Sequence, residues 1–99
     1  MKRVIIYCQE QENVGYIIKK LREYVKKKNW ELAGRTVEAC NSSDGLFEIL
    51  NKLNEFDAIL IYNRENILDE FNRQLLSGLA TEGQIEIIEY RNQQQRDEM

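Results

Sequence analysis

The sequence contains no histidine and no proline, and only two of its 99 residues are cysteine. Without histidine, catalytic triads of the Ser-His-Asp type are excluded, and so are most ligand sets that bind zinc or another transition metal. We therefore expect no bound metal and no cofactor. Two cysteines without any other secretory feature predict a reducing, cytoplasmic environment.

Long hydrophobic runs are also absent, and the N-terminal residues lead into only five consecutive apolar ones. A helix that spans a bilayer needs roughly 18 to 20 such residues, so we expect neither a membrane association nor a signal peptide. The residues that are present fit one globular domain, because 42% are hydrophobic and 31% are charged. We assign residues 1–90 to that domain and residues 91–99 to a polar C-terminal tail.

The net charge of −3 conceals an uneven distribution. Residues 1–50 carry nine lysines and arginines against seven acids, whereas the remaining residues carry five against ten. The basic excess lies mainly in one segment, at Lys19, Lys20, Arg22, Lys26, Lys27 and Lys28. In an acidic chain such a cluster is more typical of a solvated helix face than of a nucleic-acid-binding surface, so DNA is an alternative but not the favoured partner.

Hydrophobic periodicity alternates along the chain between short apolar runs and helical spacing. The predicted elements are strands at 4–8, 30–40, 57–62 and 85–89 and helices at about 13–28, 46–53 and 68–79. The first and third strands are continuous apolar runs, which are typical of strands covered on both faces. The third helix is expected to bury Leu68, Phe71, Leu75 and Leu79 and to end before Gly83.

Strand–helix–strand units enforce parallel pairing with right-handed crossovers. The two most apolar strands are expected at the centre of the sheet and the two mixed strands at its edges. The sequence therefore predicts a three-layer α/β fold: a flavodoxin-like, parallel four-stranded sheet of order 2-1-3-4 with helices on both faces. A functional site is expected at the carboxyl ends of strands 1 and 3, where the strand order reverses.

One function considered for this position is a small-ligand or phospho-relay domain. A phosphate cradle favours a glycine-rich turn after strand 1, but Glu10 and Glu12 stand there. A phospho-accepting aspartate would end strand 3, where the chain has Asn63. Cys8 ends strand 1, and a buried, inert thiol is favoured there over a reactive thiolate because the adjacent loop is acidic.

Three segments resemble the motifs of one known family. Residues Tyr7 to Gln11 stand where that family usually has Tyr-x-Arg-Val-Ser, and Ser43 to Leu46 stand where it has Arg-x-Gly-Leu. Residues 57–69 stand where it has Asp-Val-Val-Leu-Val-Tyr-Lys-Leu-Asp-Arg-Leu-x-Arg. Over residues 3–90 the chain thus resembles the N-terminal catalytic domain of the serine recombinases, the resolvases and invertases.

In that family a serine attacks a DNA phosphodiester, and arginines stabilise the charge that develops on the phosphate. The resemblance places the nucleophile at Gln11, and the arginines at Gln9, Ser43, Asn66 and Asp69. It implies a candidate binding pocket made of Gln9, Gln11, Ser43, Arg64 and Glu65. Glu65 keeps the acid of the family motif, and Arg64 lies two residues before a family arginine position.

Because glutamine has no nucleophilic oxygen, we expect no catalytic residue and no enzymatic activity. The leading hypothesis is a catalytically inactive resolvase-like domain that works through protein contact, by self-association as a homo-oligomer or by modulating a partner. The main alternative is a DNA-binding or site-specific recombination accessory protein that uses the basic helix. The small-ligand or phospho-relay domain is the third hypothesis.

Overall fold

A computed structural model describes residues 1–91, so the predicted tail lies, from residue 92 onward, outside the described residues. The described chain alternates strands and helices. Its elements are β1 (Arg3–Gln9), α1 (Val14–Lys27), β2 (Glu31–Glu38), α2 (Asp44–Leu50), β3 (Ala58–Ile61), α3 (Glu70–Thr81) and β4 (Glu86–Glu89). Single 3-10 turns at Leu53–Glu55 and Arg64–Asn66 flank β3.

The sheet is parallel throughout and has the order β2-β1-β3-β4, which confirms the predicted topology. Helix α1 covers one face, where its residues Ile17 and Leu21 pack against Val4 and Ile6 of β1. Helices α2 and α3 cover the opposite face. The sheet is therefore the middle of three layers, and alternate residues of each central strand reach two separate cores.

Burial follows the apolar content of the strands. Every residue of β3 is buried, and β1 is buried from Val4 to Gln9. On β2, by contrast, Leu32 and Val37 remain 39% and 41% exposed. The apolar runs therefore identified the two central strands. Successive side chains of a strand point to opposite faces of the sheet, so only a strand with helices on both faces can bury all of them.

Helix α3 buries only part of the predicted stripe, since Leu79 is buried and Leu75 packs against the core. Leu68 and Phe71 are more than half exposed, whereas Asn72, Leu76 and Leu79 are buried. The Asp69 carboxylate caps the helix by accepting the backbone N–H of Asn72 at 3.2 Å, which fixes where the first turn begins. The expected stripe was wrong in its first half, at Leu68 and Phe71, because the buried face begins with a polar residue, which hydrophobic periodicity does not count as core.

The predicted end of this helix is confirmed, since α3 stops at Thr81 and Gly83 takes a positive φ of 71°. Among residues 1–91, none of the helices is long and apolar enough to cross a membrane.

Candidate functional site

The carboxyl ends of β1 and β3 carry a network of side-chain amides. The Gln11 amide donates to the backbone carbonyls of Gln9 and Asn66, each at 3.1 Å. The Gln9 side-chain oxygen accepts the backbone N–H of Asp69, also at 3.1 Å. Four of the predicted site residues therefore lie together, and their hydrogen bonds join the end of β1 to the loop that leads into α3.

A second group of polar side chains joins the start of α2 to α3. The Ser43 hydroxyl donates to the side-chain oxygen of Asn72 at 2.5 Å, and the Asn72 amide donates to the backbone carbonyl of Ser42 at 3.0 Å. Asp69 belongs to both groups, because its carboxylate accepts from Asn72 while its backbone N–H donates to Gln9. The Ser43 hydroxyl is thus paired with an amide oxygen and has no basic group as its acceptor.

One atom of this region has no partner among the described residues. The side-chain oxygen of Asn66 is buried and accepts no hydrogen bond there. The backbone N–H of the same residue donates to the side-chain oxygen of Asn63 at 2.7 Å, which closes the 3-10 turn after β3. Asn66 therefore contributes its carbonyl to Gln11 while its own side chain remains incompletely satisfied.

The remaining two residues of the predicted pocket are placed differently. Arg64 is exposed, and its guanidinium lies 3.4 Å from the Glu89 carboxylate at the end of β4. The Arg64 backbone N–H donates to the same carboxylate at 2.9 Å. Glu65 is exposed. Arg64 is therefore anchored to β4, and no hydrogen bond in residues 1–91 joins it to the network around Gln11.

The most heavily bonded acid of this edge is Glu38, which the sequence analysis did not select. It is 2% exposed, and its carboxylate accepts from the Tyr7 hydroxyl at 2.8 Å and from the backbone N–H groups of Gly45 and Leu46 at 2.9 and 3.0 Å. Burial and this carboxylate raise the pKa of the Tyr7 phenol well above its usual range. Glu38 thus neutralises the N-terminus of α2 from within the protein.

No sequence signal marked Glu38 strongly, because one acid at the end of a mixed strand is usually solvated. Its partner Gly45 offered a weak signal, since a glycine at the second position of a helix leaves room for a close approach. A Cβ at Gly45 would lie 2.5 Å from the Thr36 methyl carbon and 3.1 and 3.3 Å from the Glu38 carboxylate oxygens.

The two cysteines are both free and differ in exposure. Cys8 is buried and Cys40 is exposed. Burial raises the pKa of the Cys8 thiol from 9.0 to about 11, and Arg35 opposes this shift by a smaller amount. The cause is therefore desolvation rather than the acidic loop. A protonated thiol is neither a nucleophile nor a metal ligand at neutral pH.

We expect a thiol reagent such as iodoacetamide to modify Cys40 at least about 100-fold faster than Cys8 at pH 8, because Cys8 is both enclosed and protonated. The raised pKa means that folding favours the thiol, so this contribution to stability is complete below about pH 9 and is lost as the pH rises through about 11. Mass spectrometry of tryptic peptides measures both rates. In urea the two rates should converge, and equal rates in the native protein would contradict the assignment.

Among residues 1–91, no group of three or more cysteine, aspartate and glutamate side chains that could hold a metal ion lies together. Glu10 and Glu12, the two acids that follow strand 1, are both exposed.

The fold defines a class: an α/β domain of the flavodoxin-like type, and the candidate site lies at the carboxyl ends of its strands 1 and 3. Within that class, the chain is similar to the crystal structure of the N-terminal catalytic domain of TP901-1 integrase, with a TM-score of 0.75. The two chains are 19% identical, and the similarity covers 92% of this chain and 78% of that one.

This likeness shows that the two domains share a fold, and it agrees with the fold that the sequence resemblance implied. No protein-family model matches the chain. No curated protein sequence matches it either.

Proposed function

We propose that this protein is a catalytically inactive domain of the serine recombinase type that acts through contact with protein. The observation that carries the proposal is the hydrogen bonding of Gln11, which occupies the family's nucleophile position. Its amide donates to two backbone carbonyls at 3.1 Å and so ties the end of β1 to the loop before α3. At the position where the family has its attacking serine, this chain thus has a glutamine that links two segments of the backbone.

The charges around Gln11 also disfavour phosphoryl transfer. A phosphoryl transition state gains negative charge, which fixed cations must offset, and removing one such group typically costs a factor of about 100 to 1,000 in rate. The positions that the resemblance gives to arginines hold Gln9, Ser43, Asn66 and Asp69. The nearby Arg64 is paired with Glu89. If several of these cations are missing together, the expected rate of phosphoryl transfer is too low to be useful.

Contact with protein is supported by the unshared sheet edges. The outer edges of β2 and β4 have no neighbouring strand within residues 1–91. Beside the β2 edge, the side chains of Leu32 and Val37 are exposed on the face of the sheet that α1 partly covers. Open edges with apolar side chains are surfaces on which proteins pair with another chain.

The test of inactivity is a covalent-capture experiment. The protein is incubated with supercoiled plasmid and with a labelled pool of random-sequence duplexes, and denaturing gels are read for nicked plasmid and for DNA attached to protein. We expect neither product from the natural chain, nor from Gln11→Ser, because the serine would still lack its cations. An active serine recombinase with its own site is the positive control, and an adduct formed by the natural chain would overturn the proposal.

DNA binding without cleavage is a second candidate, favoured by a specific observation on α1. Lys19, Arg22 and Lys26 form no ion pair within the described part of the chain, so their charge is available to a polyanion. A gel-shift titration at several salt concentrations distinguishes this candidate. Phosphate contacts by three cations predict a log–log salt slope near −2.7, about 0.9 for each contact. We expect no shift at physiological salt.

A further inference from the structure

A large groove lies between α1 and the outer part of β2, on the face of the sheet opposite α2 and α3. Its volume is about 650 Å³, which is within the range of protein pockets that enclose a small ligand. Its apolar lining comes from Ile18 and Val25 of α1, from Trp30, and from Leu32 of β2. The groove exists because β2 extends the sheet beyond the width that the single helix α1 covers.

The rim of the groove is positive in a chain that is acidic as a whole. It carries Lys19, Arg22, Lys26 and Arg35 against the single acid Glu23. None of these five residues belongs to an ion pair within residues 1–91. The surface thus offers an apolar floor between unpaired cations, and the chemistry that fits it is an apolar group flanked by carboxylates. We refer to it as the basic groove.

The same chain carries a surface of that complementary kind on the other face of the sheet. Phe47 of α2 and Phe71 of α3 are 47% and 54% exposed, and their ring centroids lie 6.2 Å apart. Leu68, which is 55% exposed, precedes Phe71 by three residues. We call these three side chains the aromatic patch, and they belong to neither of the two cores that residues 1–91 form.

Carboxylates accompany the aromatic patch. Asp44 lies one helical turn before Phe47, and Asp69 and Glu70 directly precede Phe71. Within the described residues none of the three forms an ion pair. The Asp69 carboxylate also caps α3, and Glu70 accepts from the Gln74 amide, but no cation among residues 1–91 neutralises these charges. The patch therefore combines exposed aromatic rings with net negative charge, whereas the basic groove combines an apolar floor with positive charge.

We propose that the basic groove of one molecule binds the aromatic patch of a second copy of this chain. The proposal rests on the proposed function, since it names the partner in the protein contact inferred above. Burying two phenylalanine rings removes a large apolar area from water, and the flanking charges set the orientation. No molecule can satisfy its own groove, because groove and patch lie on opposite faces of the sheet.

The predicted contact is heterologous, which means that it joins two different surfaces and leaves one of each kind open at the ends of a pair. Such contacts produce rings or open chains of molecules rather than closed symmetric dimers. DNA would use only the cations of the rim and would leave the apolar floor exposed to water. The apolar lining therefore favours a protein side chain as the occupant.

The experiment mixes two variants, each of which has lost one surface. Phe71→Asp disables the patch, and Leu32→Glu places a charge on the floor of the groove. Both positions are exposed, so both variants should keep their fold, as circular dichroism will verify. Sedimentation equilibrium is run between about 10 µM and 1 mM, where small interfaces associate.

The natural chain is expected to exceed the mass of a dimer as its concentration rises, whereas each variant alone should remain near the 11.8 kDa of one chain. An equimolar mixture of the two variants should form a pair and stop there, because one intact groove and one intact patch remain. Val37→Glu is the matched control: this side chain is 41% exposed on the same strand but does not line the groove, so it should associate like the natural chain.

Three results would overturn the proposal: a natural chain that stays monomeric, a Leu32→Glu variant that associates normally, or a mixture that does not pair. If Val37→Glu also prevented association, the contact would be assigned to edge-to-edge pairing of β2 instead. Each of these results leaves the inactivity of the site untouched, because that claim is tested separately by covalent capture of DNA. An adduct in the capture experiment would overturn the proposed function whatever the masses show.

Discussion

Replacing Glu38 by alanine is expected to lower the free energy of unfolding by about 3–5 kcal/mol, the largest effect of any single substitution considered. Three donors now point at this buried carboxylate: the Tyr7 hydroxyl and the backbone N–H groups of Gly45 and Leu46. Alanine at position 38 would leave all three donors without a hydrogen-bond acceptor, in a buried place next to the N-terminus of α2. Since a domain of this size is stable by about 5–15 kcal/mol, the loss would be a large share of the total.

Urea denaturation followed by circular dichroism measures the effect. Glu38→Gln should cost less than Glu38→Ala, about 1–3 kcal/mol, because its amide keeps one acceptor but turns an N–H₂ group toward a donor. Glu31→Ala is the matched control, since Glu31 begins the same strand and is exposed; its effect should stay within about 0.5 kcal/mol. Equal effects at positions 31 and 38 would show that the buried carboxylate does not stabilise the fold.

Adding Tyr7→Phe tests whether the hydroxyl and the carboxylate act together. If they do, the two substitutions combined should cost less than the sum of their separate effects, because Tyr7→Phe removes a donor that Glu38→Ala would leave unpaired. Strict additivity would mean that water replaces the lost acceptor. The double-mutant cycle therefore separates the contribution of this hydrogen bond from that of the α2 N-terminus.

The strand order was predictable because it depends on which strands are buried, and the apolar content of each short strand segment indicates that burial. Apart from Asp57 at the start of the second run, the runs at 4–8 and 57–62 have no charged or amide side chain for solvent, so the two strands were expected at the centre, and the crossover rule then left few sheet orders. The edge character of β2 followed from the same reasoning and agrees with the exposure of Leu32 and Val37. These inferences need only local composition and connectivity.

The packing of α3 was not predictable in the same way. Two candidate stripes overlap on this helix: one contains Phe71 and Leu75, and the other contains Asn72 and Leu76. The second is buried because Asn72 finds partners in Ser42 and Ser43 of a distant segment. A prediction from hydrophobicity alone chooses the more apolar stripe. In the folded protein the other stripe is buried, because its polar side chain forms hydrogen bonds there.

The candidate site was likewise predictable in its location but not in its hydrogen bonds. Parallel strands bring their carboxyl ends to one edge, so the meeting of Gln9 and Gln11 with the loop at Asn66 and Asp69 followed from topology. Which atoms bond there depends on loop geometry that no spacing encodes. Arg64 shows this directly: it is two residues from Asn66 in sequence, yet its guanidinium pairs with Glu89 on β4.

Replacing Gly45 by alanine is expected to destabilise the fold by about 1–3 kcal/mol, although alanine is the better helix former. The added Cβ would lie 2.5 Å from the methyl carbon of Thr36, a separation that forces β2 and α2 apart. It would also press on the Glu38 carboxylate, whose two hydrogen bonds to the helix depend on close approach. The penalty therefore arises from the same contact that makes Glu38 effective.

Two further variants make this interpretation testable by urea denaturation. Gly78→Ala, within α3, has open space around its Cβ position and should stabilise the protein by about 0.5–1 kcal/mol, the opposite sign. In a Thr36→Ala background, where the obstructing methyl is gone, Gly45→Ala should cost clearly less than in the natural chain. The remaining cost would measure the pressure on Glu38. If the penalty were the same in both backgrounds, the steric account would be wrong, because the only contact closer than 3.0 Å would have been removed without effect.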